Sequence, residues 1–68
     1  MQVETLLNLM TELERVKIFD YDETLIFKGF ARYISQELKK RDVFMLRSSY
    51  EVSESASYTI IYLDFSEE

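Results

Sequence analysis

The sequence predicts an α+β domain: one four-stranded antiparallel sheet with two helices on one of its faces. Three observations lead there. The chain has 68 residues, which is room for one domain, so 1–68 is read as a single unit. Hydrophobic residues make up 47% of it, and five Phe and five Tyr supply large burial per residue, with no proline and one glycine to interrupt the elements. Apolar spacing then switches between helical and strand periods in the order α-β-β-α-β-β.

Val3, Leu6, Leu7, Met10 and Leu13 recur at helical spacing, with Glu4, Asn8, Thr11 and Glu12 opposite them, which predicts an amphipathic helix over 2–13. Glu14 and Arg15 end that pattern. Val16 and Ile18 alternate with Lys17, Phe19 and Tyr21 in a strand over 15–21. Asp22-Glu23 makes the turn, because an Asp side chain bonds to its own backbone. Leu25, Ile26, Phe27 and Phe30 form the second strand, in which Gly29 predicts a bulge or a close approach by another element. Phe19, Tyr21 and Phe27 are placed to form aromatic cross-strand pairs.

Ile34 and Leu38 lie one turn apart, and Ser35 followed by Glu37 marks a helix start, giving a short helix over 34–41. Lys39-Lys40-Arg41 closes it, where cations favour the negative end of the helix dipole. Val43-Phe44-Met45-Leu46 opens a long third strand that alternates through Val52. Ser53-Glu54-Ser55-Ala56-Ser57 has loop composition, and Tyr58 to Phe65 is the stretch densest in β-branched and aromatic residues. Two successive hairpins make an antiparallel sheet the natural arrangement. Apolar residues fall on both faces of the strands, so an exposed aromatic patch is expected, of the kind that marks a dimer or partner surface.

Composition narrows function by exclusion. There is no cysteine, hence no disulfide framework or thiolate chemistry, and no histidine, the commonest zinc ligand and general base. No cofactor and no metal are expected. No apolar run has the length of a membrane span, and Met1-Gln2-Val3-Glu4 lacks the basic start and apolar core of a signal peptide, so the expected location is cytoplasmic. The net charge of −5 is unevenly placed. Through Tyr50 the acidic and basic residues cancel, whereas Glu51, Glu54, Asp64, Glu67 and Glu68 follow without a single Lys or Arg. That balance disfavours direct binding to nucleic acid; net charge away from zero is first a solubility feature, and a basic protein surface is the partner reading it allows.

One motif points to catalysis. Ile18-Phe19-Asp20-Tyr21-Asp22-Glu23-Thr24-Leu25 resembles the nucleophile loop of the haloacid dehalogenase superfamily. In that family two carboxylates one residue apart act as nucleophile and general acid/base beside magnesium, on a hard-cation site built of oxygens. The resemblance extends to Ser48, which falls where the family places its second Ser or Thr. Three departures set it aside. Glu23 stands where glycine is usual, no Lys or Arg follows Ser48, and the remaining residues cannot supply a doubly wound sheet. The chain is therefore not expected to be an enzyme, and a magnesium-dependent phosphatase fragment is the remote alternative.

A broader pattern covers most of the chain: Val-x-Ile-x-Asp-Tyr-Asp, then Ile-Phe-x-Gly-x-Ala-x-x-Ile, a short helix and a final apolar strand. It resembles small acidic proteins of Gram-positive phages and mobile elements, anti-CRISPR proteins among them. The resemblance implies a non-enzymatic inhibitor that binds a host nucleic-acid-handling complex such as a CRISPR effector. On that reading Asp20, Asp22, Glu23, Glu51, Glu54, Asp64, Glu67 and Glu68 enter a basic groove built for phosphate. Tyr21, Tyr50, Tyr58 and Tyr62 serve as anchors where they are exposed. The alternative is a structural or regulatory homodimer that pairs through a strand edge or an aromatic face.

Overall fold

The second and third strands are joined by a crossover instead of a hairpin turn, and this decides the sheet. The computed structural model describes residues 1–11 and 14–64. The elements are α1 (Val3–Leu7), β1 (Arg15–Phe19), β2 (Leu25–Phe30), α2 (Gln36–Lys39), β3 (Val43–Glu51) and β4 (Ala56–Leu63), with single 3₁₀ turns at Ala31–Tyr33 and Val52–Glu54. The strand order is β2-β1-β4-β3. The α+β class and the α-β-β-α-β-β order stand as the sequence predicts them.

The sheet is mixed, however, and not wholly antiparallel. Both hairpins, β1 with β2 and β3 with β4, are antiparallel, while the central pair β1 and β4 is parallel. Residues 31–42 run back along the sheet before β3 begins, so β3 starts at the same end as β2. A crossover of that length is what a parallel pairing requires. The strands richest in buried β-branched residues thereby take the centre, with Val16, Ile18 and Ile61 fully buried and Leu63 nearly so.

Both helices lie on one face. Val3 and Leu6 of α1, with Ala31 and Ile34 from the crossover, pack against Val16, Ile18, Ile61 and Leu63, and Leu7, Met10, Phe27, Leu38 and Val43 border this core. Helix α1 is shorter than the periodicity predicts. After Leu7 the bonds tighten to the third residue back, Leu9 N–H to Leu6 O and Met10 N–H to Leu7 O. Leu13 lies outside the described residues. Helix α2 is also shorter than predicted, but its start is where the sequence places it: Ser35 Oγ accepts from Leu38 N–H at 3.3 Å. Gly29 pairs regularly with Val16, and the irregularity falls between Ile18 and Phe19 instead. Among the described residues no other element closes on Gly29 either: a Cβ there would meet the Phe27 ring of its own strand at 3.5 Å, an ordinary contact.

The principal extents are 37 × 24 × 16 Å, and the thin dimension accommodates the sheet and one helical layer only. Among the described residues the other face of the sheet therefore carries no helix. Among the described residues no helix is long and apolar enough to cross a membrane.

Candidate functional site

The helix-free face is built by alternation from the core strands. Val16, Ile18, Ile61 and Leu63 point into the core, so Lys17 and Phe19 of β1 and Tyr58, Ile60 and Tyr62 of β4 point the other way. Lys28 joins them from β2, and Met45, Arg47, Ser49 and Glu51 from β3. Long side chains roof this face in place of a helix. Tyr58 is only 4% exposed. Lys17 Nζ lies 4.8 Å and Lys28 Nζ 5.6 Å from its ring centroid.

The two ammonium groups are paired in turn. Lys17 bonds to Glu51, and Lys28 Nζ lies 2.7 Å from Glu54 Oε2. Glu54 Oε1 also accepts from the Tyr58 hydroxyl at 2.7 Å. Lys28, and then the Tyr58 hydroxyl, hold the Glu54 carboxyl below its ordinary pKa, while Glu54 raises that of Lys28 and of the Tyr58 phenol. Further along the face Phe19 and Tyr62 stack, with centroids 5.3 Å apart. Phe19, expected to pair with an aromatic of the first hairpin, stacks instead on Tyr62 across the parallel strands, and Phe27 turns toward the core.

The Asp-x-Asp stretch closes the first hairpin. Asp20 N–H donates to Thr24 O at 2.8 Å and Glu23 N–H to Asp20 O at 2.9 Å, with Glu23 in the left-handed region at φ 66°. Asp20 Oδ1 accepts from Tyr21 N–H at 2.7 Å and Asp22 Oδ1 from Thr24 N–H at 3.2 Å. Arg41 donates to Asp20 Oδ1 at 3.2 Å and to the Asp64 carbonyl at 3.3 Å, tying together the ends of β1 and β4. The Tyr21 amide, with Arg41 adding to it, holds the Asp20 carboxyl below its ordinary pKa against an opposing effect of partial burial. Arg41 therefore serves this junction and not the end of α2. Among the described residues no group of three or more His, Cys, Asp or Glu side chains is gathered so as to hold a metal ion.

A groove of about 410 Å³ lies beside this turn, lined by Asp20, Tyr21, Glu23, Phe44, Met45, Arg47, Tyr62 and Leu63. It brings the turn residues Asp20, Tyr21 and Glu23 together with Tyr62. The other residues singled out in the sequence are dispersed. Glu51 and Glu54 belong to the lysine roof, Tyr50 is exposed on the opposite side of β3, and Glu67 and Glu68 lie outside the described residues. Tyr58 does not meet the exposure that an anchor needs; Tyr21 and Tyr50 do, at 60% and 58%.

Sequence reasoning did not single out the start of β3. Phe44, Met45 and Leu46 are 66%, 41% and 42% exposed. Three consecutive apolar residues look like a buried central strand, yet β3 is an edge, and a register shift at Phe44 turns that residue outward. The available signal was Arg47-Ser48-Ser49, polar on both faces, which a central strand does not tolerate. Before the shift the edge is covered: Val43 N–H donates to Met1 O at 2.7 Å, Val3 N–H to Arg41 O at 2.9 Å, and Gln2 bridges to Asp42. From Met45 to Glu51, no backbone bond among the described residues reaches the outer side of β3.

Compared with protein-family models, with curated proteins and with solved structures, the chain matches none. Fold and surface define the class on their own: among the described residues, a small α+β domain whose mixed sheet has one helical face, one side-chain roof and two edge strands, β2 and β3.

Proposed function

We propose that this chain is a protein-binding module, not an enzyme, and that the outer edge of β3 is its binding element. The carrying observation is the stretch Met45–Glu51, regularly paired to β4 on one side, with its outer backbone unbonded among the described residues. An edge of this length is a template for another strand: main-chain bonds give affinity and alternate side chains give specificity. Phe44, Met45, Leu46 and Tyr50 provide exposed apolar and aromatic surface alongside it.

The carboxylates support a narrower reading less strongly. Asp20, Glu51 and Glu54 are engaged in ion pairs within the chain, which leaves Asp22 and Glu23 as the exposed acids of the turn. With the net charge of −5, these suit a basic partner and salt-sensitive encounter. The narrower reading is an inhibitor of a host nucleic-acid-handling complex such as a CRISPR effector, carried by a phage or mobile element and acting in the bacterial cytoplasm.

The test is capture from bacterial lysate on immobilised chain, at low and high salt, with Leu46→Lys in parallel. The expected result is protein retained by the wild type, from the lysate or as added copies of the chain, and lost with the edge variant. Recovery of nothing at either salt overturns the heteromeric reading. Magnesium-dependent turnover of an aryl phosphate, lost on Asp20→Asn, overturns the non-enzymatic one.

A further inference from the structure

We infer that the occupant of the β3 edge is a second copy of this chain, paired antiparallel about a two-fold axis at Ser48; this rests on the reading of β3 as the binding edge. Residues facing each other across an antiparallel pair share a sheet face, so a two-fold pairing must centre on one residue. The regularly paired stretch is Met45–Glu51, because Phe44 sits at the register shift and Val52 begins the 3₁₀ turn. Three central positions therefore compete.

A centre at Arg47 sets two guanidinium groups directly opposite each other, which is destabilising. A centre at Ser49 places Leu46 against Val52, already outside the strand, and shortens the ladder. The centre at Ser48 uses all of Met45–Glu51. It sets Leu46 against the second copy's Tyr50, twice, and Arg47 against the uncharged Ser49.

The row this pairing covers is otherwise anomalous. Leu46, Ser48 and Tyr50 pair with Ile61, Thr59 and Ser57, which puts them on the helical face. Yet Leu46 and Tyr50 are 42% and 58% exposed, because the helical layer stops short of β3. The second copy brings the same apolar row to the same place. The product is an eight-stranded sheet with the two helical layers flanking a Leu46–Tyr50 seam. Each copy uses its β3 edge once, so association through this edge closes at two.

Light scattering on a sizing column from about 10 μM to about 1 mM reads the result directly. The wild type is expected to rise with concentration from the 8.2 kDa monomer mass toward twice that value. Leu46→Lys weakens self-association about tenfold or more with an unchanged far-UV CD spectrum. Leu46→Lys combined with Tyr50→Glu restores it, since in this register each introduced lysine faces an introduced glutamate of the other copy. Within one chain the two positions are about 13 Å apart along the strand and cannot pair.

A wild type that stays monomeric throughout overturns the inference, while capture of a lysate partner that Leu46→Lys abolishes still upholds the edge reading. A dimer indifferent to Leu46→Lys overturns both. Loss without restoration by the charge swap overturns the register.

Discussion

Phe19 and Tyr62 stack at 5.3 Å across the one parallel strand pair of the sheet, on the face that carries no helix. Both are half-buried, and together they form the apolar end of a face otherwise roofed by lysines. Truncating either to alanine is expected to cost about 2 kcal/mol, less than a fully buried aromatic. A double-mutant cycle on urea unfolding should return a coupling of about 1 kcal/mol.

Ile18 and Ile61 are direct register partners at the centre of the helical face, both without exposure. Ile61→Ala is expected to destabilise by about 3 kcal/mol, and Ile61→Val by about 1 kcal/mol. For a 68-residue domain the larger loss is a substantial part of the whole. Urea midpoints at constant slope check this, and the valine variant keeps the comparison measurable if the alanine variant is largely unfolded.

The acid limb of stability follows from Asp20 and Glu54. Both carboxyls titrate below their ordinary values in the folded chain, Asp20 through the Tyr21 amide and Arg41, Glu54 through Lys28 and Tyr58. Below about pH 4 the unfolded chain thus binds more protons at these groups, and their stabilisation is lost as pH falls through the folded values. Asp20→Asn with Glu54→Gln should flatten the dependence of unfolding free energy on pH between about 2 and 5. An unaltered slope would remove these two groups from the account.

Tyr58 and Lys28 give the opposite limb. Glu54 raises both, so their contribution is complete below about pH 10 and lost as pH rises through the folded values. Tyr58→Phe keeps the ring under Lys17 and Lys28 but removes the bond to Glu54. It should lower Tm slightly and make stability less sensitive to alkali, whereas Tyr58→Leu, which also removes the ring, should lower Tm further. Calorimetry at neutral and alkaline pH separates the two.

Much of the fold is legible in local patterns. The stripe Val3, Leu6 and Met10, the alternation Val16–Ile18, the cap at Ser35 and the turn at Asp22 each depend on neighbours a few residues away. They fall where short-range spacing puts them. Carboxylate roles are less legible: Glu51 and Glu54 look like part of an acidic end, yet their partners Lys17 and Lys28 lie 34 and 26 residues earlier. Such pairs exist only once the strands are ordered. Asp20 is a parallel case, since an Asp-x-Asp spacing is the same string whether it faces magnesium or an arginine such as Arg41.

By itself the sequence determined the class, the sequence of elements and the residues able to form a core, because hydrophobic period and turn chemistry are local. Tertiary structure alone decided that β1 and β4 lie side by side in parallel, and so that β3 becomes an edge. The physical reason is the crossover at 31–42. By carrying the chain back along the sheet, it sends β3 outward and leaves Phe44, Met45, Leu46 and Tyr50 at an exposed border.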